Sequence, residues 1–375
     1  MASGLLQHSR RYKIKENGHF DKYRLYFHPK LKELPLKSRI IVTGGCGFIG
    51  SHLVDLLLSR GNQVTVLDNL ATGRKSNLAA VQNHPALKIV EVDLSSPPTW
   101  ASCFEKVDQV FHLAALADIV PSLQKPLNYY QANVTSTAHV LEAARQNGVK
   151  RFLYVASSSC YGLAKTFPTP EDASIQPEYP YALTKWLGEQ LVFHWGKVFK
   201  MSVISCRLFN VYGPRSRTTG AYGAVFGVFL RQKLAGQPLT IVGDGGQTRD
   251  FTYVSDIVEA LAAAADSNIK DEAFNVGSGQ PHSVNQLANL LGGERTYIPK
   301  RPGEPDCTFA DISKIRRMLH WEPRVSFEEG VRQMVASIQD WRDAPLWTPQ
   351  SIQEATRDWF FYLSPDKLPS RVTHE

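Results

Sequence analysis

The chain reads as an α/β protein: a doubly wound parallel sheet with a smaller mixed C-terminal lobe. Three observations predict it. Arg39 to Val54 (RIIVTGGCGFIGSHLV) passes from the continuous apolar run Ile40-Ile41-Val42 through Gly44, Gly47 and Gly50 into Ile49, Leu53, Leu56 and Leu57 at helical spacing. Val64 to Leu67 (VTVL) follows as a second strand and ends on Asp68, 18 residues after Gly50. Strand-like and helix-like segments then alternate to about Gly279.

The first unit is a strand, a tight glycine turn and a helix. Such a turn lets a pyrophosphate approach the backbone at the positive end of the helix. Gly44, Gly47 and Gly50, with Phe48 and Ile49 opening the helix, are therefore expected to hold a dinucleotide. A carboxylate at Asp68, followed by Asn69, is placed to accept the hydroxyls of an adenosine ribose. It would repel a 2′-phosphate, which favours NAD over NADP. Arg74 and Lys75 follow closely and are read as a solvated loop.

Leu87 to Val92 is the third expected strand and delivers Asp93 and Leu94 to the adenine side. Val107 to Leu113 is the fourth and runs into Ala114 and Ala115, small enough for the dinucleotide to pass close to the backbone. His112 sits in that apolar strand and is read as a satisfied core histidine. Tyr129 to Asn147 has helical periodicity, with Asn133 inside it, where a buried amide would brace the site or hold a water. Arg151 to Ala156 is the fifth strand and ends in Ser157, Ser158, Ser159, Cys160, Tyr161 and Gly162. Hydroxyls at the carboxyl end of a parallel strand stand where such sheets bind ligands.

Tyr181 and Lys185 open the next helix, one turn apart on one face. A free phenol titrates near 10 and is a poor base at neutral pH. A nearby ammonium and a positive nicotinamide would favour the phenolate, so Tyr181 is expected to exchange a proton with an alcohol, Ser157 holding the same oxygen. Ser202 to Leu208 is the sixth strand, and from Ser216 the alternation stops. A helix over Val225–Leu234, a segment Leu239–Gly246, a helix capped by Ser255 and Asp256 through Ala265, and a last strand Phe274–Gly277 follow. An amphipathic helix is expected from Phe327 to Trp341, with Ser326 and Glu329 as its capping box. Residues 344–365 fit a helix that docks by an apolar face rather than one that lines a ligand site.

The chain has 375 residues, 43% hydrophobic and 21% charged, ordinary values for a folded protein with more than one lobe. No apolar run is long enough to span a bilayer, the first residues lack the apolar core of a secretory signal, and position 2 is not glycine. Five scattered cysteines with no metal-ligand spacing suit a reducing cytoplasm. Residues 1–38 hold nine basic and three acidic residues, a net +6 of the chain's +7. The body is thus near neutral and offers no nucleic-acid surface. The basic leader is expected to pack Tyr23, Leu25, Tyr26 and Phe27 on the body.

Taken together, Gly44 to Gly50, Asp68-Asn69, Asp93-Leu94, His112 to Ala115, Ser157 to Gly162, Tyr181 to Lys185 and Arg249-Asp250 resemble the extended short-chain dehydrogenase/reductase family, in its branch of NAD-dependent nucleotide-sugar epimerases and dehydratases. The resemblance spans about residues 38–342. It implies a Rossmann lobe over residues 38–210, completed by about 250–279, with NAD bound. Asn133, Tyr181 and Lys185 would join the cofactor contacts. A nucleotide-sugar lobe would comprise 211–249 and 280–343, flanked by the leader 1–37 and a C-terminal helix and tail over 344–375. The resemblance also implies substrate contacts from Ser158 and Ser159, diphosphate contacts from Asn210, Arg249 and Arg301, and a pocket-limiting residue at Thr308. Forked guanidinium donors match phosphate oxygens. The stretch Arg301-Pro302-Gly303-Glu304 departs from the family's usual Arg-Glu/Ala-Gly-Asp.

Family members that eliminate water carry an Asp-Glu pair after the strand-end hydroxyl, and decarboxylases keep a Glu. This chain has Ser158-Ser159-Cys160 there, most similar to the UDP-hexose 4-epimerases, which invert C4 through a transient 4-keto sugar. The small Thr308 would admit an N-acetyl group. A UDP-glucuronate decarboxylase, a uronate epimerase, a 4,6-dehydratase and a 4-keto-sugar reductase stand as alternatives, with a non-catalytic NAD-binding regulator behind them. In this family the helices at 129–147 and 181–199 pair across a two-fold axis, which implies a homodimer.

Overall fold

The computed structural model describes residues 38–216 and 224–364. The basic leader, including its expected aromatic packing, lies outside the described residues, as does the chain beyond Ser364.

Seven strands form one parallel sheet. In chain order β1 is Arg39–Thr43, β2 Gln63–Asp68, β3 Leu87–Glu91, β4 Gln109–His112, β5 Arg151–Ser157 and β6 Val203–Leu208. The short β7 (Val211–Tyr212), β8 (Leu239–Val242), β9 (Thr248–Arg249) and β10 (Thr252–Tyr253) leave the sheet, and β11 (Glu272–Val276) returns to its edge. β12 (His282–Ser283) and β13 (Arg295–Ile298) belong to the smaller lobe. The sheet order is β11-β6-β5-β4-β1-β2-β3. Its direction of growth reverses between β1 and β4, the place where open parallel sheets leave a crevice at their carboxyl ends. Register there sets Thr43 beside His112 and His112 beside Tyr154, so the residues after β1, β4 and β5 emerge side by side.

The helices explain themselves from sequence. α1 (Phe48–Ser59) presents Leu53, Val54, Leu56 and Leu57 to the sheet. α2 (Ile119–Gln124) is short; α3 (Pro126–Tyr130), a π-turn (Gln131–Thr135) and α4 (Ser136–Gln146) form one continuous helix, so the predicted 129–147 helix starts earlier and carries a one-turn bulge. α5 (Pro180–Phe199) begins with proline at its first position, where a missing N–H is harmless. α6 (Val225–Leu234) falls where the periodicity put it.

α7 (Val254–Asp266) starts one residue before the expected cap. Strand β10 runs directly into it, and Asp256, instead of capping, accepts from the Val325 amide at 3.0 Å. α8 (Val284–Leu291) and α9 (Ser313–Leu319) precede α10 (Phe327–Ala336), whose N-cap Ser326 accepts from Glu329 N; the expected capping box is only half formed, because the Glu329 carboxylate binds Gln333 and Arg332 instead. α10 is shorter than predicted: it ends at Ala336 and a single 3-10 turn, Ile338–Trp341, continues it. The expected tail helix is two helices, α11 (Pro349–Ala355) and α12 (Arg357–Leu363), broken at Thr356, whose hydroxyl folds back onto the Ile352 carbonyl.

Two apolar layers cover the sheet, one around Leu53, Leu153 and Phe274, the other around Phe104, Leu141 and Phe152. A third cluster, centred on Tyr212, Phe226, Phe229, Phe327 and Trp341, is the core of the smaller lobe. β7 pairs with β10, β9 with β12 and β8 with β13, which knits that lobe together from distant stretches of chain.

Candidate active site

A cavity of about 940 Å³ opens at the carboxyl ends of the sheet and extends under the smaller lobe. Its floor is the β1–α1 turn. Gly44 has φ +69°, and a Cβ there would sit 2.9 Å from the Ala114 amide nitrogen; a Cβ on Gly50 would be driven into the Gly44 carbonyl oxygen. These two glycines exist because strand, turn and helix touch. Gly47 differs: a Cβ on it would meet only the Gly44 oxygen, at 3.1 Å, and otherwise point into open space. α1 has no side-chain cap and no acidic residue in its first turn, so its positive end and free N–H groups face the cavity uncompensated.

Asp68 ends β2 on the cavity wall and is held rigidly, accepting from Cys46 N at 2.9 Å and Leu70 N at 2.8 Å. Asn69, Asp93, Leu94, Ala114 and Ala115 line the same stretch, with Phe48 and Ile49 opposite. Asp93 is fixed by Ser95, which donates to it from both its amide (2.9 Å) and its hydroxyl (2.8 Å). Lys75 pairs with Glu91 at 2.8 Å on the surface, as a solvated loop should. Arg74 corrects that reading: it is half-buried and lines the cavity.

His112 is fully buried and satisfied, bonded to Thr43 Oγ1 at 2.7 Å and Thr137 Oγ1 at 2.9 Å. Burial pushes its pKa down to about 3, which keeps it neutral. Thr43 Oγ1 also accepts from the amides of Leu113 and Ala114, so this histidine helps shape the turn beneath the cavity. Asn133, carried on the π-turn, lies behind the wall rather than on it. Its amide accepts from Leu116 N at 2.8 Å and donates to Leu116 O and Thr184 Oγ1, both at 3.0 Å. It ties the loop after β4 to helix α5.

Tyr181 faces the cavity, with the Ser157 hydroxyl close enough to favour its phenolate. Ser157 Oγ donates to Ser159 Oγ at 3.0 Å and accepts from the Ser159 amide, so the strand-end hydroxyls form a chain leading to the phenol. Lys185 lies one turn below, 4.4 Å over the Tyr154 ring, and the Tyr154 hydroxyl donates to the Lys185 carbonyl at 3.1 Å. Burial pushes the Lys185 ammonium down to about 7, opposed by the Glu189 carboxylate one further turn on. Burial also pushes the Tyr181 phenol up, opposed by the nearby Ser157 hydroxyl. The protein alone therefore does not supply the lowered phenol expected from the Tyr-Lys spacing. Desolvation is the largest cause of that rise, and Lys185, like Ser157, stands behind the cavity wall.

At the other end, Asn210 Oδ1 accepts from Thr308 Oγ1 at 2.6 Å, and both line the cavity. Arg249 donates to Glu304 at 2.8 Å, and Arg301 approaches the same carboxylate at 3.5 Å. Both guanidinium groups are buried. The neighbouring Asp250 is fully buried and accepts from Ser278, Gly279 and Ala310, fixing the strand that carries Arg249.

Four lining residues escape sequence reasoning. Tyr179 stacks on Tyr181 with centroids 6.3 Å apart and planes 12° apart, close to the Ser159 hydroxyl. Asp118 lies close enough for its charge to raise the Tyr181 phenol. Trp347 and Trp359 reach the cavity from the tail, which corrects the expectation that residues 344–365 serve packing alone. Only the paired Tyr179 and Tyr181 carried a local signal.

The profile of the NAD dependent epimerase/dehydratase family matches residues 40–277. The chain belongs to this family. UDP-glucose 4-epimerase of Mycolicibacterium smegmatis is 34% identical over 305 residues, 79% of this chain and 97% of that one. UDP-glucuronic acid decarboxylase 1 of Xenopus tropicalis is also 34% identical, over 321 residues, 82% of this chain and 74% of that one. Among solved structures, UDP-N-acetylglucosamine 4-epimerase from Methanobrevibacter ruminantium M1, in complex with UDP-N-acetylmuramic acid, superposes with a TM-score of 0.76 at 34% identity, covering 81% of this chain and 98% of that one. UDP-glucuronic acid 4-epimerase from Bacillus cereus, in complex with UDP-glucuronic acid and NAD, gives 0.75 at 32%, covering 80% and 99%.

The protein is thus an NAD-dependent enzyme of the epimerase/dehydratase family, with the Rossmann fold of the extended short-chain dehydrogenase/reductases. Its residues fit NAD on two counts: the glycine cradle is open to the cavity at Gly47, and the uncapped end of α1 offers donors to a pyrophosphate. Among the described residues no helix is long and apolar enough to cross a membrane.

Proposed function

We propose that this enzyme is a UDP-hexose 4-epimerase, acting on UDP-glucose/galactose or on the N-acetylated or uronate form. The observation that carries the reading is the strand-end chain of hydroxyls, Ser157 to Ser159, beside Tyr181, where enzymes that eliminate or decarboxylate would need a carboxylate. Gly44, Gly47, Phe48, Ile49 and Gly50 would receive the NAD pyrophosphate. Asp68 and Asn69 would take the adenosine ribose, Asp93 and Leu94 the adenine, and Ala114 and Ala115 would let the dinucleotide lie against the backbone. Bound NAD supplies an acceptor and donor of hydride. Tyr181 takes the proton of the C4 hydroxyl and later gives it back, while Ser157 holds its phenol oxygen in place. Lys185, buried beneath it, stabilises negative charge on that oxygen. Asn133 acts from behind, by fixing the Leu116 loop to α5.

For inversion the 4-keto sugar must present its other face without leaving. Arg249, Arg301 and Asn210 would anchor the nucleotide diphosphate, while Ser158 and Ser159 contact the sugar as it turns. Thr308, small and bonded to Asn210, leaves room for a C2 N-acetyl group. A second reading has one specific support: Asp118 lies on the cavity wall near Tyr181, a carboxylate that could serve the acid–base steps of a decarboxylase or dehydratase.

One experiment separates them. The purified enzyme is incubated with UDP-glucose, UDP-N-acetylglucosamine and UDP-glucuronate, without and then with added NAD, and followed by proton NMR. An equilibrating pair of C4 epimers is expected. Accumulation of a UDP-pentose or a 4-keto-6-deoxy sugar would overturn the epimerase in favour of the Asp118 reading. No change with any of the three would overturn both. Homodimerisation through α3, α4 and α5 belongs to the same proposal, supported by Leu127, Tyr130, Leu183, Val198 and Phe199, all exposed on those helices. A monomer by light scattering at micromolar concentration would refute it.

A further inference from the structure

We infer that Trp359, on the tail helix α12, is a positioning residue for the nucleotide diphosphate: its indole face holds the Arg301 guanidinium in place. Trp359 is 6% exposed. Its ring lies 5.4 Å from Arg301 Cζ, and its Nε1 donates to the Pro302 carbonyl at 2.6 Å. One indole therefore grips both the side chain of Arg301 and the backbone that follows it. A guanidinium resting on an aromatic face keeps its in-plane donors directed at its edge, where they can fork onto phosphate oxygens. Fixing a long side chain before the ligand arrives also removes an ordering cost from binding.

The helix reaches the opposite wall as well. Asp358, next to Trp359, accepts from Gln124 of α2 at 2.7 Å, and the start of α2, Ile119 and Val120, lines the cavity. α12 thus spans from the Arg301 loop of the smaller lobe to the Rossmann side. On the near side Glu304 binds Arg249 at 2.8 Å and approaches Arg301 at 3.5 Å, so both cations are already turned toward one anionic position.

The inference rests on the reading of Arg301 as a diphosphate contact, and the test separates the two. The probe is UDP, titrated calorimetrically into the NAD-loaded full-length enzyme as wild type, W359F, W359L and R301A. Leucine keeps apolar bulk and removes the π face; phenylalanine keeps the face and removes only the N–H. If W359L does not fold, W359M takes its place. W359L is expected to weaken UDP binding about five- to tenfold, between the losses expected for an exposed and for a fully desolvated cation–π contact. W359F should stay within twofold of wild type, and R301A should lose at least as much as W359L. Wild-type affinity in W359L alongside a weakened R301A would overturn the role of Trp359 and leave that of Arg301 standing. Equal losses in W359F and W359L would overturn the stack as the cause. Wild-type affinity in R301A would remove both assignments.

Discussion

Replacing Lys185 by methionine should abolish catalysis and yet stabilise the fold. Lys185 is buried, and no carboxylate among the described residues lies within ion-pairing distance of it; its ammonium rests instead 4.4 Å over the Tyr154 ring. Burial lowers its pKa from 10.5 to about 7. A tenfold change in a proton-binding constant is worth about 1.4 kcal/mol, so the folded state carries a penalty of up to roughly 5 kcal/mol whenever the unfolded chain would hold the proton. The sign follows from the depressed pKa. Below about pH 7 both states are protonated and the penalty is complete. Between pH 7 and 10.5 the folded state sheds its proton first and the penalty shrinks; above that it is gone. Methionine matches the length of the chain without the charge. Allowing for the lost ring contact, about 2–4 kcal/mol of stabilisation is expected at pH 6, in line with other replacements of buried charges by apolar groups. For a protein of this size that corresponds to a rise in melting temperature of roughly 5 °C or more. The assay is thermal and urea unfolding of NAD-stripped wild type and K185M at pH 6 and pH 9.5. A variant less stable than wild type at pH 6, or a difference unchanged between the two pH values, would refute the reasoning.

Three further outcomes are expected. Y181F should reduce turnover about 10²–10⁴-fold while UDP still binds, because only the oxygen proposed to transfer the proton is removed; unchanged turnover would place the base elsewhere. G50A should fail to retain NAD and melt earlier, since its Cβ would be driven into the Gly44 carbonyl; absorbance at 260 nm of the purified protein reports the cofactor. R207M should cost about 3–5 kcal/mol in urea unfolding by leaving the Glu189 carboxylate buried without its guanidinium, whereas adding E189Q should restore much of the loss.

The sheet and the nucleotide turn are legible because their signals are local. Glycines at three-residue spacing, an apolar run and a carboxylate ending the next strand all lie within 30 residues, and the i, i+4 spacing of Tyr181 and Lys185 needs only one helical turn. What escapes depends on chain brought from far away. The tie from Asn133 to Thr184 spans 51 residues, and Glu304, the carboxylate shared by Arg249 and Arg301, lies 55 positions from Arg249. The cap expected at Ser255 and Asp256 fails because Asp256 is recruited by an amide 69 residues on. The upward push of burial on the Tyr181 phenol is hidden for a related reason: spacing reveals a neighbouring cation, but not how much water the fold removes from both groups. The tail reads as packing because Trp359 carries no mark of its partner; Arg301 lies 58 residues upstream.

The smaller lobe is assembled from separate stretches, with α7 and β11 returning to the main sheet between them. Each of its three strand pairs joins segments divided by at least one other element. Substrate preference in such a protein is therefore not a transplantable cassette. Exchanging any contiguous block with a homologue would sever strand partners and mismatch two interfaces at once. New specificities in this architecture should be reached by scattered point changes at the cavity wall, in evolution as in engineering, and recombination libraries that cut within residues 211–341 should return few folded clones.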